Sequence, residues 1–160
     1  MAKHGKAKTT DNTIARNKKA IHDYFMEENF EAGMVLLGWE VKSMREKKVQ
    51  LTDSYVIIKN GEAFLLGCNV VPLNTASTHV ICEPDRTKKL LLHRKELARI
   101  FASTQQKGHT CVATKIYWKG HTIKCQVSLA KGKQEHDKRN VEKDREWAIE
   151  KQRVVRHSNR

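Results

Sequence analysis

The stretch "CVATKIYWKGHTIKCQVSLAKG", residues 111–132, predicts a β-hairpin, because hydrophobic and polar residues alternate along its second half. An alternation with a period of two is typical of an antiparallel strand with one buried face. The Lys119-Gly120 pair lies where a turn would join this strand to the one before it. The side chains expected to face the core are Ile123, Cys125, Val127 and Leu129.

A second hairpin is indicated by "DSYVIIKNGEAFLLGCNV", residues 53–70. Asn60-Gly61 is a preferred pair for a type I′ turn, since both positions need a positive φ. Hydrophobic residues flank the pair on both sides, as expected for two paired strands. This segment therefore predicts two more strands of the same sheet.

The remaining elements are expected to be one long strand and two helices. Residues 21–38 predict a strand that bends or bulges near Gly33, and residues 38–48 predict a short helix. After a polar connection over residues 72–87, Pro84 and Asp85 predict a helix start, and Gly108 predicts its end. The helix face would consist of Leu90, Leu97, Ile100 and Phe101.

This order of elements predicts a mainly β (α+β) fold. A small antiparallel β-barrel of the oligonucleotide-binding sort, with about three peripheral helices and a C-terminal tail, accommodates it best. Charge marks the boundaries: residues 1–19 carry six Lys or Arg against one Asp, and residues 131–160 carry ten against six Asp or Glu. We expect a disordered basic arm over residues 1–14, a barrel over 15–130 and a tail over 131–160.

The net charge of +13 favours a polyanionic partner, nucleic acid first and an anionic membrane second. No export signal is visible and no hydrophobic run is long enough to cross a membrane, so a cytoplasmic protein is expected. In that compartment we expect the four cysteines to be reduced and buried. They are Cys68, Cys82, Cys111 and Cys125, with no C-x-x-C pair.

Signals of catalysis are weak. The chain has no phosphate-binding glycine loop, no nucleophile elbow and no pair of His at metal-ligand spacing, so we expect no cofactor and no metal. His22-Asp23 and His136-Asp137 leave open an acid–base ribonuclease, because His titrates near neutral pH. The alternative is that these residues contact RNA or solvent.

Signals of RNA binding are stronger near the N-terminus. Arg16, Lys18 and Lys19 precede a predicted strand that carries Tyr24 and Phe25. Cations bind phosphates, and exposed aromatic rings stack on bases. For Phe25 we expect packing in the core.

The hydrophobic residues of the tail have helical spacing, but few interactions would stabilise an isolated helix of this sequence in water. Val141, Ala148 and Val155 line up at 100° per residue, and Trp147 and Val154 lie beside them. The hydrophobic stripe is narrow, and an isolated helix of this length is marginal. We expect a segment that is frayed alone and becomes helical in a binding groove. The alternative is a helix packed back on the barrel through Trp147.

Four blocks of the chain together resemble the small protein B (SmpB) family, the SsrA-binding proteins of bacteria. They are "NKKAIHDYFMEENFEAGMVLLGWEVKSMR" (17–45), "DSYVIIKNGEAFLLGCNV" (53–70), "RTKKLLLHRKEL" (86–97) and "AKGKQEHDKR" (130–139). The resemblance implies an oligonucleotide-binding-type barrel and no enzymatic activity. It implies binding of transfer-messenger RNA (tmRNA, or SsrA RNA) in trans-translation, which rescues ribosomes stalled on mRNA without a stop codon.

The resemblance also implies partners. The barrel would fill the place of the anticodon arm that tmRNA lacks, and the tail would occupy the empty mRNA channel of the small subunit. Elongation factor Tu and alanyl-tRNA synthetase would be indirect partners, and the protein would act as a monomer. The alternatives that the residues leave open are a His-dependent ribonuclease and a general barrel that binds single-stranded nucleic acid.

The resemblance assigns three groups of site residues. The tmRNA-binding residues would be Asn17, Lys18, Lys19, His22, Tyr24, Glu31, Leu91 and His93, where some members have Asn at the last position. The decoding-centre residues of the tail would be Lys131, Gly132, Lys133, His136, Asp137, Lys138 and Arg139. The distal anchors of the tail would be Trp147, Val154 and Val155.

Overall fold

The computed structural model describes residues 11–74 and 79–158. Residues 1–10 of the predicted arm, residues 75–78 of the polar connection and the last two residues of the tail lie outside that part. In the described residues the strands are β1 (Thr13–Arg16), β2 (Tyr24–Met34), β3 (Val49–Gln50), β4 (Tyr55–Lys59), β5 (Glu62–Leu66), β6 (Asn69–Val70), β7 (Lys88–Leu91), β8 (His109–Lys119) and β9 (Thr122–Gly132). The helices are α1 (Lys18–Asp23), α2 (Gly38–Arg45), α3 (Arg94–Thr104) and α4 (Glu135–Ser158).

Six strands form a closed ring. Their order is β8-β4-β5-β7-β2-β9, and β9 pairs again with β8. All of these pairings are antiparallel, β1 adds to β8 outside the ring, and β3 and β6 form a separate pair. The predicted mainly β, antiparallel fold is therefore confirmed.

The two predicted hairpins are present, and their inward faces form much of the core. Asn60 and Gly61 join β4 to β5 with φ of 53° and 73°, as a type I′ turn requires. Gly120 has a φ of 61° in the turn between β8 and β9. The four side chains predicted to face inward from β9 are all buried, in one cluster with residues from every other strand of the ring. Burial raises the pKa of the Cys68 thiol to about 11, so this core cysteine stays protonated.

The predicted helix start at Pro84 and Asp85 is wrong. Residues Lys88–Leu91 form strand β7 between β5 and β2, and α3 begins only at Arg94. Lys88 is fully buried, and its charge has partners there. Its ammonium group donates to the carbonyl oxygen of Cys68 at 3.1 Å and lies 3.5 Å from the buried carboxylate of Glu40. A lysine in such a place has no signature in local sequence, since its partners lie far along the chain.

The expected role of Gly108 as the helix end is also wrong. Helix α3 ends at Thr104, and Gly108 has its φ of 82° in the turn that leads into β8.

The ends of the fold differ from the predicted boundaries. Strand β1 begins at Thr13 and buries Ile14, so the fold starts inside the segment expected to be an arm. Strand β9 continues to Gly132, past the expected boundary at residue 130. The bulge expected near Gly33 lies instead between Met26 and Glu28.

Within the described ranges, no helix combines the length and the hydrophobicity needed to span a membrane.

Candidate nucleic-acid interface

Helix α1 presents the first group of predicted RNA-binding residues. It begins after Asn17, whose side-chain oxygen accepts a hydrogen bond from the backbone N–H of Ala20 at 3.0 Å. The amide nitrogen of Asn17 donates to the carbonyl oxygens of Leu51 at 2.8 Å and Ala113 at 3.0 Å. Asn17 is only 1% exposed, so it fixes α1 on the ring rather than facing a ligand.

The cations of α1 point outward. Lys18 and Lys19 are exposed, and the ammonium group of Lys19 lies 2.8 Å from the carboxylate of Asp53. That hydrogen bond raises the pKa of Lys19. Lys19 therefore has part of its charge balanced within the protein, whereas Lys18 offers its charge to solvent.

The start of the tail lies directly beside α1. Tyr24 pairs with Gly132 and Phe25 with Lys131 across β2 and β9, so two segments more than 100 residues apart share one edge of the fold. The backbone N–H of Lys133 donates to the carbonyl oxygen of Asp23 at 2.9 Å. We call the exposed residues of α1 and the first residues of β2 the α1 surface, and residues 131–134 lie beside it.

Phe25 belongs to this surface and not to the core, so the expected core packing is wrong. Phe25 is 43% exposed, and the ammonium group of Lys133 lies 5.1 Å from the centroid of its phenyl group. The outward position follows from the alternation of β2, in which Tyr24 and Met26 turn inward. An exposed ring beside a lysine can stack on a base while the lysine binds phosphate.

His22 connects α1 to the tail helix. Its Nε2 lies 2.9 Å from the carboxylate of Glu142, and its Nδ1 lies 3.1 Å from that of Asp23, which also pairs with Lys138 at 3.2 Å. Glu142 and then Asp23 raise the pKa of His22, because each carboxylate favours the imidazolium form. Both ring nitrogens of His22 thus lie against carboxylates, an arrangement that leaves neither one placed to take a proton from an RNA hydroxyl group.

Glu31, Leu91 and His93 form a second group, at the other end of β2. Gly33 pairs with Leu91 across β2 and β7, and a Cβ on Gly33 would lie 3.2 Å from the Cβ of Leu91. The glycine therefore lets β7 bring Leu91 close to β2. Leu91 is exposed, and His93 follows it at the start of α3, where its N–H donates to Glu96 at 2.9 Å.

These residues line a cavity of about 440 Å³, together with Lys89 and Lys124. The carboxylate of Glu31 accepts hydrogen bonds from the hydroxyl group of Tyr117 and from the ammonium group of Lys119, the latter at 2.7 Å. Lys119 and then Tyr117 lower the pKa of Glu31, so its carboxylate stays ionised. We call Glu31, Leu91, His93, Tyr117, Lys119 and Lys124 the Glu31 surface.

The two surfaces are separate. Six residues of β2 lie between Tyr24 and Glu31, so the two are separated by about 23 Å of extended chain. The residues predicted as one tmRNA-binding set are thus divided between two ends of the ring. Tyr117, Lys119 and Lys124 were not singled out from sequence, although the alternation of β8 and β9 already places them on the outward face.

The distal tail residues lie far from both surfaces along α4. Trp147 is 73% exposed, and Val154 and Val155 are exposed as well. The alternative in which Trp147 packs the helix back on the barrel is therefore wrong. Of the decoding-centre residues, Lys131, Gly132 and Arg139 are exposed and Asp137 and Lys138 are half-buried, while the side chain of His136 lies outside the described part.

Comparison with known proteins decides the family. The family model described as "SmpB protein" matches residues 14–157. The chain belongs to the SmpB family. This membership covers the ring, both surfaces and nearly all of α4. The SmpB family consists of RNA-binding proteins and is not known as a family of enzymes.

SmpB relatives resemble the chain over nearly its full length. An SsrA-binding protein of Chromohalobacter salexigens is 58% identical over 156 residues, 98% of this chain and 99% of the relative. One of Azotobacter vinelandii is 62% identical over 143 residues, 89% of each chain. A solved structure described as "tmRNA-SmpB: a journey to the center of the bacterial ribosome" contains a chain that is 39% identical, with a TM-score of 0.64. The match covers 76% of this chain and 85% of that one.

Proposed function

We propose that this protein binds tmRNA and, with it, rescues ribosomes stalled on mRNA that lacks a stop codon. The observation that carries the proposal is the family match over residues 14–157, with full-length relatives that are named SsrA-binding proteins. The net charge of +13 supplies the sequence-independent attraction that such a complex needs. The protein acts as a binding adaptor and not as an enzyme.

The α1 surface and the Glu31 surface together bind tmRNA. Lys18 and Lys19 contact phosphates, the exposed ring face of His22 stacks on a base, and Tyr24 completes the edge beside them. Leu91, His93 and Glu31 contact RNA around the cavity of the Glu31 surface. Asn17 contributes indirectly, because its buried amide holds α1 in place.

The tail acts on the ribosome. The residues that act in the decoding centre are Lys131, Gly132, Lys133, His136, Asp137, Lys138 and Arg139, and the distal anchors are Trp147, Val154 and Val155. Beyond its first turns α4 exposes almost every side chain, so little tertiary packing supports its far end. We infer that this end frays in the free protein and becomes helical in the empty mRNA channel, whose walls are rich in phosphate.

The wider setting follows from this role. The ring occupies the place of the missing anticodon arm, so the adaptor acts in the cytoplasm, where ribosomes are. Elongation factor Tu and alanyl-tRNA synthetase meet it only through the RNA, and one copy serves each tmRNA.

Truncation separates the roles of ring and tail. We expect a chain ending at Gln134 to keep nearly full affinity for tmRNA and to lose tagging in a reconstituted translation system. Gln134 is the right end point, because β9 continues through Gly132 and the backbone N–H of Lys133 donates to Asp23.

The substitution Trp147→Ala in the full chain should reduce tagging and leave the melting temperature unchanged, since the side chain of Trp147 is exposed.

Three outcomes would contradict the proposal. A large loss of tmRNA affinity on truncation would place the tail in the tmRNA interface. Recovery of RNA of random length and sequence with the purified protein, without enrichment of tmRNA, would favour a general single-strand binder. Cleavage of RNA by highly purified protein that disappears with His22→Ala would favour a ribonuclease.

A further inference from the structure

Lys133 lies at the point where the ring ends and the tail begins. Strand β9 ends at Gly132 and α4 begins at Glu135, so only Lys133 and Gln134 join them. Few backbone dihedral angles therefore set the direction in which α4 leaves the ring. A contact that fixes Lys133 acts at the pivot of the whole helix.

Three contacts hold Lys133 against residues 21–25 of the same chain. Its backbone N–H donates to the carbonyl oxygen of Asp23 at 2.9 Å. Its ammonium group donates to the carbonyl oxygen of Ile21 at 3.4 Å and lies 5.1 Å from the centroid of the phenyl group of Phe25. Lys133 is half-buried in this position, so its side chain is directed towards its own chain.

Phe25 differs from the other two partners because it contacts Lys133 through its side chain. The face of a phenyl group attracts an ammonium group, and the attraction is worth most where both are partly shielded from water. Phe25 is 43% exposed on the outward side of β2, so it contributes little to the core. Its phenyl group is the partner of Lys133 that a substitution can remove while the backbone stays as it is.

Two further contacts lie along the first turns of α4. The ammonium group of Lys138 lies 3.2 Å from the carboxylate of Asp23, and the carboxylate of Glu142 lies 2.9 Å from Nε2 of His22. Each of these pairs is largely open to solvent and contributes little alone. A contact at the pivot and two contacts along the helix together fix a direction, which no single one of them does.

We propose that Phe25 is a positioning residue for the tail, because its phenyl group holds the ammonium group of Lys133 and so sets the direction in which α4 leaves the ring. The proposal rests on the proposed function, since a tail that already points in one direction loses less conformational freedom when it enters the mRNA channel. In this role Phe25 acts through Lys133.

A double-mutant cycle in the free, full-length protein tests the contact. Hydrogen exchange of the amides of residues 139–142 is measured at one fixed pH for the parent, Phe25→Leu, Lys133→Met and the double variant. Both substitutions keep a hydrophobic side chain and remove one partner of the cation–π contact. We expect each single variant to exchange about two- to five-fold faster than the parent, the scale of a partly exposed cation–π contact, and the double variant to exchange no faster than the single ones. Single effects that multiply in the double variant would overturn the proposal.

Conservative variants separate this contact from a general loss of structure. Phe25→Tyr and Lys133→Arg should exchange like the parent, because each keeps a cation over an aromatic face. Phe101→Leu is the matched control, since Phe101 is 50% exposed on α3 and the substitution is the same. Faster exchange in Phe101→Leu, or none of the parent's protection in Phe25→Tyr, would overturn the proposal.

Tagging in a reconstituted translation system links the contact to the tail's task. The rate is measured with every variant saturated by tmRNA, so that any change in RNA affinity does not enter. Phe25→Leu should tag about two- to five-fold more slowly than the parent, and Phe25→Tyr should restore the rate. Equal rates for Phe25→Leu and the parent would overturn the proposal.

The two kinds of measurement fail separately. A coupled exchange cycle in a parent chain that neither binds tmRNA nor supports tagging would remove the adaptor function and leave the contact between Phe25 and Lys133 standing. Independent effects of Phe25→Leu and Lys133→Met in a chain that supports tagging normally would remove the positioning role and leave the adaptor function standing.

Discussion

Asn17 holds α1 on the ring from a buried position in which its side chain faces no ligand. Its side chain makes three hydrogen bonds, one to the first turn of α1 and two to carbonyl groups of the ring. The match of the block 17–45 to the SmpB family identifies the position but not this role. The sequence could not reveal it, because Leu51 and Ala113 lie 34 and 96 residues away.

Removal of the Asn17 amide should destabilise the whole fold. We expect Asn17→Ala to lower the free energy of unfolding by about 2 kcal/mol, since it leaves buried carbonyl groups without a donor. Urea denaturation measures the change. Lys18→Ala, one residue further at an exposed position, is the control and should unfold like the parent chain. If Asn17→Ala weakens tmRNA binding while its stability equals that of the parent, then Asn17 contacts the RNA itself.

At the scale of elements, the sequence predicts the hairpins, because a hairpin depends on residues that are close together in the chain. The β4–β5 hairpin depends on Asn60 and Gly61, and the β8–β9 hairpin on the alternation of residues 122–129, so both are visible in sequence. Strand β7 was missed because its pairing with β5 and β2, and the burial of Lys88 against Glu40, are contacts between distant segments. Helix α1 was missed because it has only six residues and depends on the Asn17 cap.

The contact between α1 and α4 should weaken as pH rises. His22 faces Glu142 on α4 and Asp23 on its own helix, and Lys138 pairs with that same Asp23. The carboxylates raise the pKa of His22 above its ordinary value of 6.5. The stabilisation of the docked state is therefore complete below about pH 6.5 and is lost as pH rises through the raised pKa.

Hydrogen exchange checks this prediction. After correction for intrinsic rates, the amides near Glu142 should be more protected at pH 6 than at pH 8.5, and Glu142→Gln should remove most of the difference. Glu150→Gln, further along α4, is the matched control and should keep the parent's profile. Equal pH dependence in Glu142→Gln and the parent chain would show that another group controls the docking.

At the scale of the whole molecule, charge was the most informative property of the sequence. It separated the polar ends from the ring and pointed to nucleic acid before any motif did. What charge did not predict is where the C-terminal segment begins: pairing of β2 with β9 places residues 131 and 132 beside Tyr24 and Phe25. Such non-local pairing also divides the predicted RNA-binding residues into two surfaces.

Binding of tmRNA should depend steeply on salt. Each phosphate contact adds about 0.7–0.9 to the slope of log K against log salt concentration. Lys18→Ala should reduce that slope by about one contact, and Lys19→Ala should reduce it less, because Asp53 already balances part of the charge of Lys19. Titrations at four salt concentrations measure both slopes. Identical slopes for the two variants and the parent chain would place α1 outside the RNA interface.

The junction between β9 and α4 has a mechanical consequence. Only Lys133 and Gln134 separate the end of the strand from the start of a helix of 24 residues, which is about 36 Å long. Wherever α4 is helical to its far end, the ring and α4 act as a body and a lever arm with a short hinge, and rotation at this hinge must break the contacts of Glu142 with His22 and of Lys138 with Asp23. A rotation of about 10° at this hinge moves the far end of the lever by about 6 Å, close to one helical turn. Small changes in how the ring sits on its RNA would thus be magnified at Val154 and Val155.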